Sequence, residues 1–409
     1  MRTVKGLLIL VLCFAAAAAA FSAGYATRLV IAESAMQSSA PKQVIVNSPS
    51  EPAPAEAVAF GVFWEAWHLV EQHFMGELPN LQKLSYAAIR GMLAELKDPH
   101  TVFVEPRMRQ LEKDEHRGRF GGIGAWVYQR EDDRRIVLRP QEGGPAARAG
   151  ICDGDVVVQV DNTIIDVNKI TRDEVVSLIR GPVGSKVRLI VRRTGEPADL
   201  IFEIVREEIT TPSVEWRLLD DRGTNIGYIY ISMFTERTNS ELENAIRDLK
   251  ANDARRLVLD LRDNPGGLLE SAVAVTNQFL SDGVILIERK RDGSEKVYGV
   301  QPGGLATDLP LVVLTNKGSA SASEIVAGAL HDHGRAKLVG ERTYGKGSVQ
   351  LVFDLSDGSS VHVTVARWMT PNRKPIDGAG IQPDISVPLT EEDRAKGLDP
   401  QLNEAVKQF

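Results

Sequence analysis

Three short stretches hold the residues best suited to chemistry. In "NKGSASASEIVAGAL", Asn316 to Leu330, Ser321 stands where a strand-like run gives way to a helix-like one. A serine at such a turn is presented outward, beside the unpaired N–H groups and the positive end of the helix dipole. Those groups would stabilise an oxyanion formed by attack on a carbonyl. The same four residues, Ser321-Ala322-Ser323-Glu324, also fit the capping box S-x-x-E, in which the serine does no more than cap the helix. A nucleophilic serine needs a base. His331 and His333 belong to the far end of the same helix, about 15 Å away at 1.5 Å per residue, too far to deprotonate Ser321. The sequence "HDH" also lacks the i, i+4 spacing that puts two metal ligands on one helix face. The other five histidines, His68, His73, His100, His116 and His362, are scattered, and no metal or cofactor site is expected.

Lysine is the alternative base, because desolvation lowers an ammonium pKa. Lys346 lies in "GERTYGKGSVQ", Gly340 to Gln350, and Gly345 and Gly347 would let its backbone approach another segment closely. A solvated turn lysine is the plainer alternative. The stretch nearly matches the phosphate-binding pattern G-x-x-x-x-G-K-[ST], but Gly347 replaces the Ser or Thr and a strand-like run follows where a phosphate loop needs a helix. Nucleotide binding is therefore not expected. The third stretch is "LRDNPGGLLE", Leu261 to Glu270. Pro265 and Gly266-Gly267 would leave backbone N–H groups at a helix start, an anion site or a plain tight turn.

The surrounding periodicity supplies the scaffold. "NIGYIYIS", "RRLVLDLR", "PLVVLTN" and "AKLVGE" read as strands. They alternate with the helical runs "SELENAIRDLKA", "LLESAVAVTNQFL" and "SEIVAGALHDHG". Such alternation predicts a mostly parallel sheet covered by helices. Its carboxyl edge would gather all three turns into one cleft. "SVQLVFDL" and "SVHVTVARWM" follow with no helix between them and read as an antiparallel addition; "PQLNEAVKQF" reads as a last helix. Residues 118–206 predict short strands punctuated by glycine, with one or two helices. "FGVFWEAWHLVEQHF" and "LSYAAIRGMLAEL" predict two earlier helices. The first sets Phe63, Trp67, Val70 and Phe74 at helical spacing, a packing face that also suits self-association.

The 409 residues predict two or three domains. A hydrophobic share of 43% and a charged share of 25% are those of an ordinary globular protein, and a net charge of −7 argues against a nucleic-acid surface. Arg2 and Lys5 precede the uncharged run Leu7 to Thr27, long enough to span a bilayer or to serve as a signal peptide, with the following chain exported. Cys13 lies in that run and Cys152 is then alone, so no disulfide and no cysteine metal site is expected. The predicted organisation is a signal anchor or signal peptide over 1–32 and a Ser/Pro/Ala-rich linker over 33–57. A helical segment follows over 58–117, a mostly-β domain over 118–206, an α/β core over 207–390 and a helical tail over 391–409.

Together "FWEAWHLVEQHF", "LKDPHTVF", "GGIGA", "GGPAARAGICDGDVVVQVD", "DLRDNPGGLL", "NKGSASASEIVAGAL", "GERTYGKGSVQ" and "GIQPDISV" resemble the C-terminal processing peptidases, also called tail-specific proteases, over roughly residues 58–390. The resemblance implies a parallel-sheet, crotonase-like or ClpP-like serine protease core with a PDZ domain inserted before it. It implies Ser321 as nucleophile, Lys346 as general base and Gln350 as the residue orienting that lysine. The oxyanion hole would use backbone N–H groups of Gly266 or Gly267 and of Ala322. In the PDZ domain, Gly121, Gly122, Ile123 and Gly124 would form the loop that holds a peptide carboxylate, with a strand edge pairing the peptide. Arg180 sits where some relatives have an arginine linking the occupied PDZ domain to the active site; a surface ion pair is the alternative. The resemblance further implies an endopeptidase that acts on protein C-termini without cofactor. With the N-terminal run it is expected on the extracytoplasmic face of a membrane, anchored or secreted, and a homodimer or larger assembly and a regulatory adaptor are open expectations beside it. A silent PDZ adaptor that binds tails without cutting them is the alternative from another class.

Overall fold

The computed structural model describes residues 54–219 and 225–409. The apolar run Leu7–Thr27, Cys13 and nearly all of the predicted linker lie outside the described residues. Among the described residues no helix is long and apolar enough to cross a membrane. The chain forms two units, Met1–Asn80 and Leu81–Phe409. The first contains helix α1, Pro54–His73, which begins inside the predicted linker because Pro54 suits a first helical position and Ala and Glu follow it. Phe60, Trp64, Leu69 and Val70 on this helix are exposed.

The second unit opens with α2 (Leu81–Ala94), β1 (Val102–Val104) and α3 (Pro106–Arg117). A glycine-punctuated region follows: β2 (Arg119–Gly122), β3 (Ala125–Gln129), β4 (Ile136–Pro140), α4 (Pro145–Ala149), β5 (Asp155–Val160), β6 (Thr163–Ile164), α5 (Arg172–Ile179), β7 (Lys186–Arg192), β8 (Leu200–Val205) and β9 (Glu207–Thr210). Strands β3-β4-β5-β7-β8 make one antiparallel sheet, with β6 on β5, and β2 pairs β9 as a separate ribbon. Ile123, Leu138, Val160, Val175, Leu189 and Val191 fill a core of their own between this sheet and α5.

The remaining chain contributes β10 (Val214–Leu219), β11 (Ile226–Ile231), α6 (Thr238–Ala251), β12 (Arg256–Asp260), α7 (Leu269–Asn277), β13 (Val284–Lys290), β14 (Glu295–Gly299), β15 (Leu311–Thr315), α8 (Ala322–Asp332), β16 (Ala336–Gly340), β17 (Ser348–Asp354), β18 (Ser360–Met369), β19 (Ile385–Ser386), α9 (Glu391–Ala395) and α10 (Pro400–Val406). The sheet order is β10-β11-β12-β15-β16-β19, parallel throughout except for the antiparallel β10–β11 pair. One face carries Leu242, Ile246, Val275 and Val326 of α6, α7 and α8. The other packs Val312, Leu314 and Val339 against Leu402, Ala405 and Val406 of α10. β15 is buried at every residue, as a doubly covered parallel strand requires.

Strands β17 and β18 pair antiparallel, as the sequence reading expects. They do not extend the parallel sheet but form a second sheet in the order β1-β18-β13-β14, with β17 on β18. The β13–β14 hairpin that completes it has no counterpart in the sequence reading. β17 is largely exposed or half-buried along its length, the pattern of a sheet with one covered face. The turn 341–347 therefore crosses from the last long parallel strand to a different sheet, and Lys346 sits on that crossing.

Candidate active site

Ser321 precedes α8 with φ 53° and ψ −112°, a left-handed conformation uncommon for a residue with a Cβ. Strain of this kind persists only where the surroundings impose it, and here they do. Ser319 Oγ donates to Leu261 O at 2.7 Å and accepts from Asn316 N at 3.0 Å. Ala320 N and Ser323 Oγ both donate to Asn264 O, at 3.0 and 2.9 Å. Asn264 is fully buried, and its side chain donates to Ile231 O at 2.8 Å. The serine turn is thus bolted to the turn after β12.

Glu324 completes the constraint. It has no exposed surface, and its carboxylate accepts four hydrogen bonds. Oε1 takes Thr343 Oγ1 at 2.5 Å and Gly345 N at 2.7 Å; Oε2 takes Ser321 N at 2.9 Å and Lys346 N at 2.8 Å. One buried oxygen therefore holds the backbone of both Ser321 and Lys346, placing those nitrogens within two hydrogen-bond lengths of each other. Tyr344 N adds a bond to Ser319 O at 2.9 Å, and Trp368 Nε1 donates to Lys346 O at 3.0 Å. The S-x-x-E pattern flagged Glu324 as a cap, and it does accept from the Ser321 N–H. Its other three bonds come from the distant 343–346 turn, which local spacing does not reveal.

The Lys346 side chain is half-buried, and burial alone pushes its ammonium below the ordinary lysine value of 10.5. Among the described residues no carboxylate pairs with its Nζ. Ser321 Oγ and Lys346 Nζ do not hydrogen-bond to each other. Gln350, on β17, donates its side-chain amide to Ser348 Oγ at 2.8 Å and Thr364 Oγ1 at 3.2 Å, not to Lys346. His331 and His333 stay at the far end of α8, against Asp384 and Val284 O.

Gly266 lies against the serine: a Cβ there would fall 2.8 Å from Ser321 Cβ and 3.1 Å from Ala322 N. Its N–H is engaged, donating to Asn264 Oδ1 at 2.9 Å. The N–H groups of Gly267 and Ala322 have no acceptor among the described residues. Gly267 is packed by Phe234, whose carbonyl oxygen would meet a Cβ at 2.2 Å.

The peptidase family S41 profile matches residues 225–387 and a PDZ domain profile matches residues 136–193. The carboxy-terminal-processing protease of Bartonella bacilliformis is 39% identical over 333 residues, covering 80% of this chain and 75% of that protein. The chloroplastic carboxyl-terminal-processing peptidase 2 of Arabidopsis thaliana is 36% identical over 373 residues, covering 84% and 72%. The chain belongs to the carboxyl-terminal processing proteases. These are serine peptidases of family S41 with a PDZ domain. A solved S41 protease structure from Bacteroides fragilis, 17% identical, covers 82% of this chain and 92% of that one with a TM-score of 0.52, a likeness of fold.

In this processing protease the PDZ profile begins at Ile136, beyond the glycine-rich loop and β3. Gly121 and Gly122 end β2, paired to Glu208 and Glu207. Ile123 drives its side chain into the PDZ core, and Gly124 turns the chain at φ 63°. The carbonyls of Ile123 and Gly124 are taken by Ala146 N and Gln141 N, at 2.7 and 2.9 Å. Their N–H groups have no acceptor among the described residues. β3, which follows, is the terminal strand of its sheet, so one edge is unpaired. Arg180 caps α5 and stacks its guanidinium over Phe120 at 3.7 Å. Burial lowers its pKa while Glu115, Asp114 and Asp173 act in the opposite direction. It borders a cavity of about 600 Å³ with Arg117, Phe120 and Val183.

Proposed function

We propose that this processing protease is an exported endopeptidase that docks protein C-termini in its PDZ domain and cleaves with a Ser321–Lys346 dyad. The neutral Lys346 amine takes the Ser321 Oγ proton as that oxygen adds to the scissile carbonyl. The Gly267 and Ala322 N–H groups receive the oxyanion, and the protonated lysine then gives its proton to the leaving amine. Water, deprotonated by the same lysine, hydrolyses the acyl-enzyme. The engaged N–H of Gly266 favours Gly267 as donor. Bonds between nucleophile and base are often long in free enzymes and tighten in the substrate complex, so the absent Oγ–Nζ bond is compatible with this chemistry. Gln350 Oε1 would then be available to steady the ammonium.

The observation that carries the dyad is the shared Glu324 oxygen, which fixes both backbones in a fully buried setting. Docking of a tail would use the Ile123 and Gly124 N–H groups for the carboxylate and the open β3 edge for the backbone, with Arg180 relaying occupancy. The leading Arg2, Lys5 and Leu7–Thr27 run supports export, with the chain tethered at or released from the extracytoplasmic membrane face. Exposed apolar residues on α1 suit a homodimer or larger assembly, and a regulatory adaptor would engage the PDZ domain. In the test, a fluorophosphonate labels wild-type protein and the modified peptide is sequenced by mass spectrometry. Labelling at Ser321 and loss of turnover by about 10³-fold or more in Ser321→Ala are expected. Cleavage of an unstructured tailed protein by Ser321→Ala at the wild-type rate overturns the assignment.

A further inference from the structure

Arg262, between β12 and the Gly266-Gly267 turn, is bound by the chain's own C-terminal helix. Its Nε and Nη2 donate to Asp260, the closest contact at 2.6 Å. Nη1 and Nη2 reach Asp399 Oδ1 and Oδ2 at 2.9 and 2.8 Å, a bidentate pair, and Nη1 also reaches Gln401 Oε1 at 3.0 Å. Bidentate guanidinium–carboxylate pairs fix geometry as well as adding energy. The site is sheltered: Asp260 and Gln401 are buried, and the Arg262 side chain is 11% exposed. Asp260 also accepts from Tyr228 Oη at 2.7 Å, and Gln401 donates to Val387 O at 2.7 Å. Asp399 in turn caps α10 by accepting from Leu402 N at 2.9 Å.

We infer that Asp399 and Gln401 are positioning residues for catalysis: through Arg262 they fix the turn that carries the oxyanion donors beside Ser321. The covalent path is short. Arg262 is followed by Asp263, left-handed at φ 57° and held by Asn316, then by Asn264, which binds both Gly266 N and Ala320 N. A guanidinium released from Asp399 leaves a buried cation with one fewer counter-charge, and relaxation of Arg262 moves the residues next to it. The last turns of the chain are then part of the catalytic apparatus, and loss of the C-terminal segment inactivates the enzyme.

This inference rests on the Ser321 dyad reading, so its test runs in parallel with Ser321→Ala. Asp399→Asn keeps the size and one acceptor but removes the charge; Asp399→Glu restores it. Turnover per folded molecule and the rate of fluorophosphonate labelling are measured at a temperature where circular dichroism shows each variant folded. Asp399→Asn is expected to lower kcat and the labelling rate about tenfold with KM within twofold, and Asp399→Glu to recover most of the loss. Gln401→Leu, tested alongside, should lower kcat in the same way and provides the answer if Asp399→Asn does not fold. Variants that lose thermal stability yet keep wild-type kcat and labelling rate overturn the inference. Activity surviving in Ser321→Ala overturns the dyad reading instead.

Discussion

At the scale of single residues, the site joins two unfavourable choices, a left-handed serine and a half-buried lysine with no carboxylate partner among the described residues. Burial lowers the folded pKa of Lys346, so the unfolded chain binds the proton more tightly and the lysine destabilises the fold. That penalty is complete below the folded pKa, shrinks between the folded and unfolded values, and vanishes above about 10.4, the unfolded lysine value. Lys346→Met should therefore raise Tm at neutral pH while abolishing turnover, and the gain should disappear as the pH approaches the unfolded value. Thermal melts across pH check this. For wild-type enzyme, kcat/KM should rise with pH on the acid side as the amine becomes neutral, with an apparent pKa below 10.5. The residue types of this site were legible in the sequence, since Ser321, Lys346 and the Gly-Gly turn each have a local signature. Glu324 was legible only as a cap, because its other partners are Thr343, Gly345 and Lys346 across the fold.

At the scale of elements, the site is an agreement between two turns, and glycine is what allows it. Gly266 has φ 109° and an ideal Cβ would sit 2.9 Å from Ala320 O and 2.8 Å from Ser321 Cβ. Gly266→Ala is expected to push the turn away from Ser321 and lower kcat by about 10²–10³-fold, the usual loss for one oxyanion donor. Peptide-tail affinity, read by fluorescence polarisation, should be unchanged. The βα alternation made the parallel strands readable, because a doubly covered strand is a continuous apolar run. The second sheet was not readable in the same way. "VILIERK" is apolar only up to Glu288, Arg289 and Lys290, and its partner β18 lies about 80 residues away, a pairing set by tertiary packing and not by any local signal.

At the scale of the molecule, the PDZ and protease regions have separate hydrophobic cores, so damage confined to one should leave the other folded. That separation makes tail recognition and bond cleavage separable by kinetics. Gly124 has φ 63°, and an ideal Cβ would lie 3.0 Å from Pro145 Cδ and 3.3 Å from Gly144 Cα. A β-branched residue is poorly suited to that conformation, so Gly124→Val should tilt the loop whose N–H groups would hold the tail in the proposed docking. For a tailed protein substrate, KM should rise about tenfold while kcat at saturation holds. A short peptide without the tail should be cut at the wild-type rate. A fall in kcat for both substrates, with circular dichroism unchanged, would mean that an intact PDZ loop is needed to align Ser321 and Lys346. In that case the unbonded Oγ and Nζ belong to a state that tail docking completes.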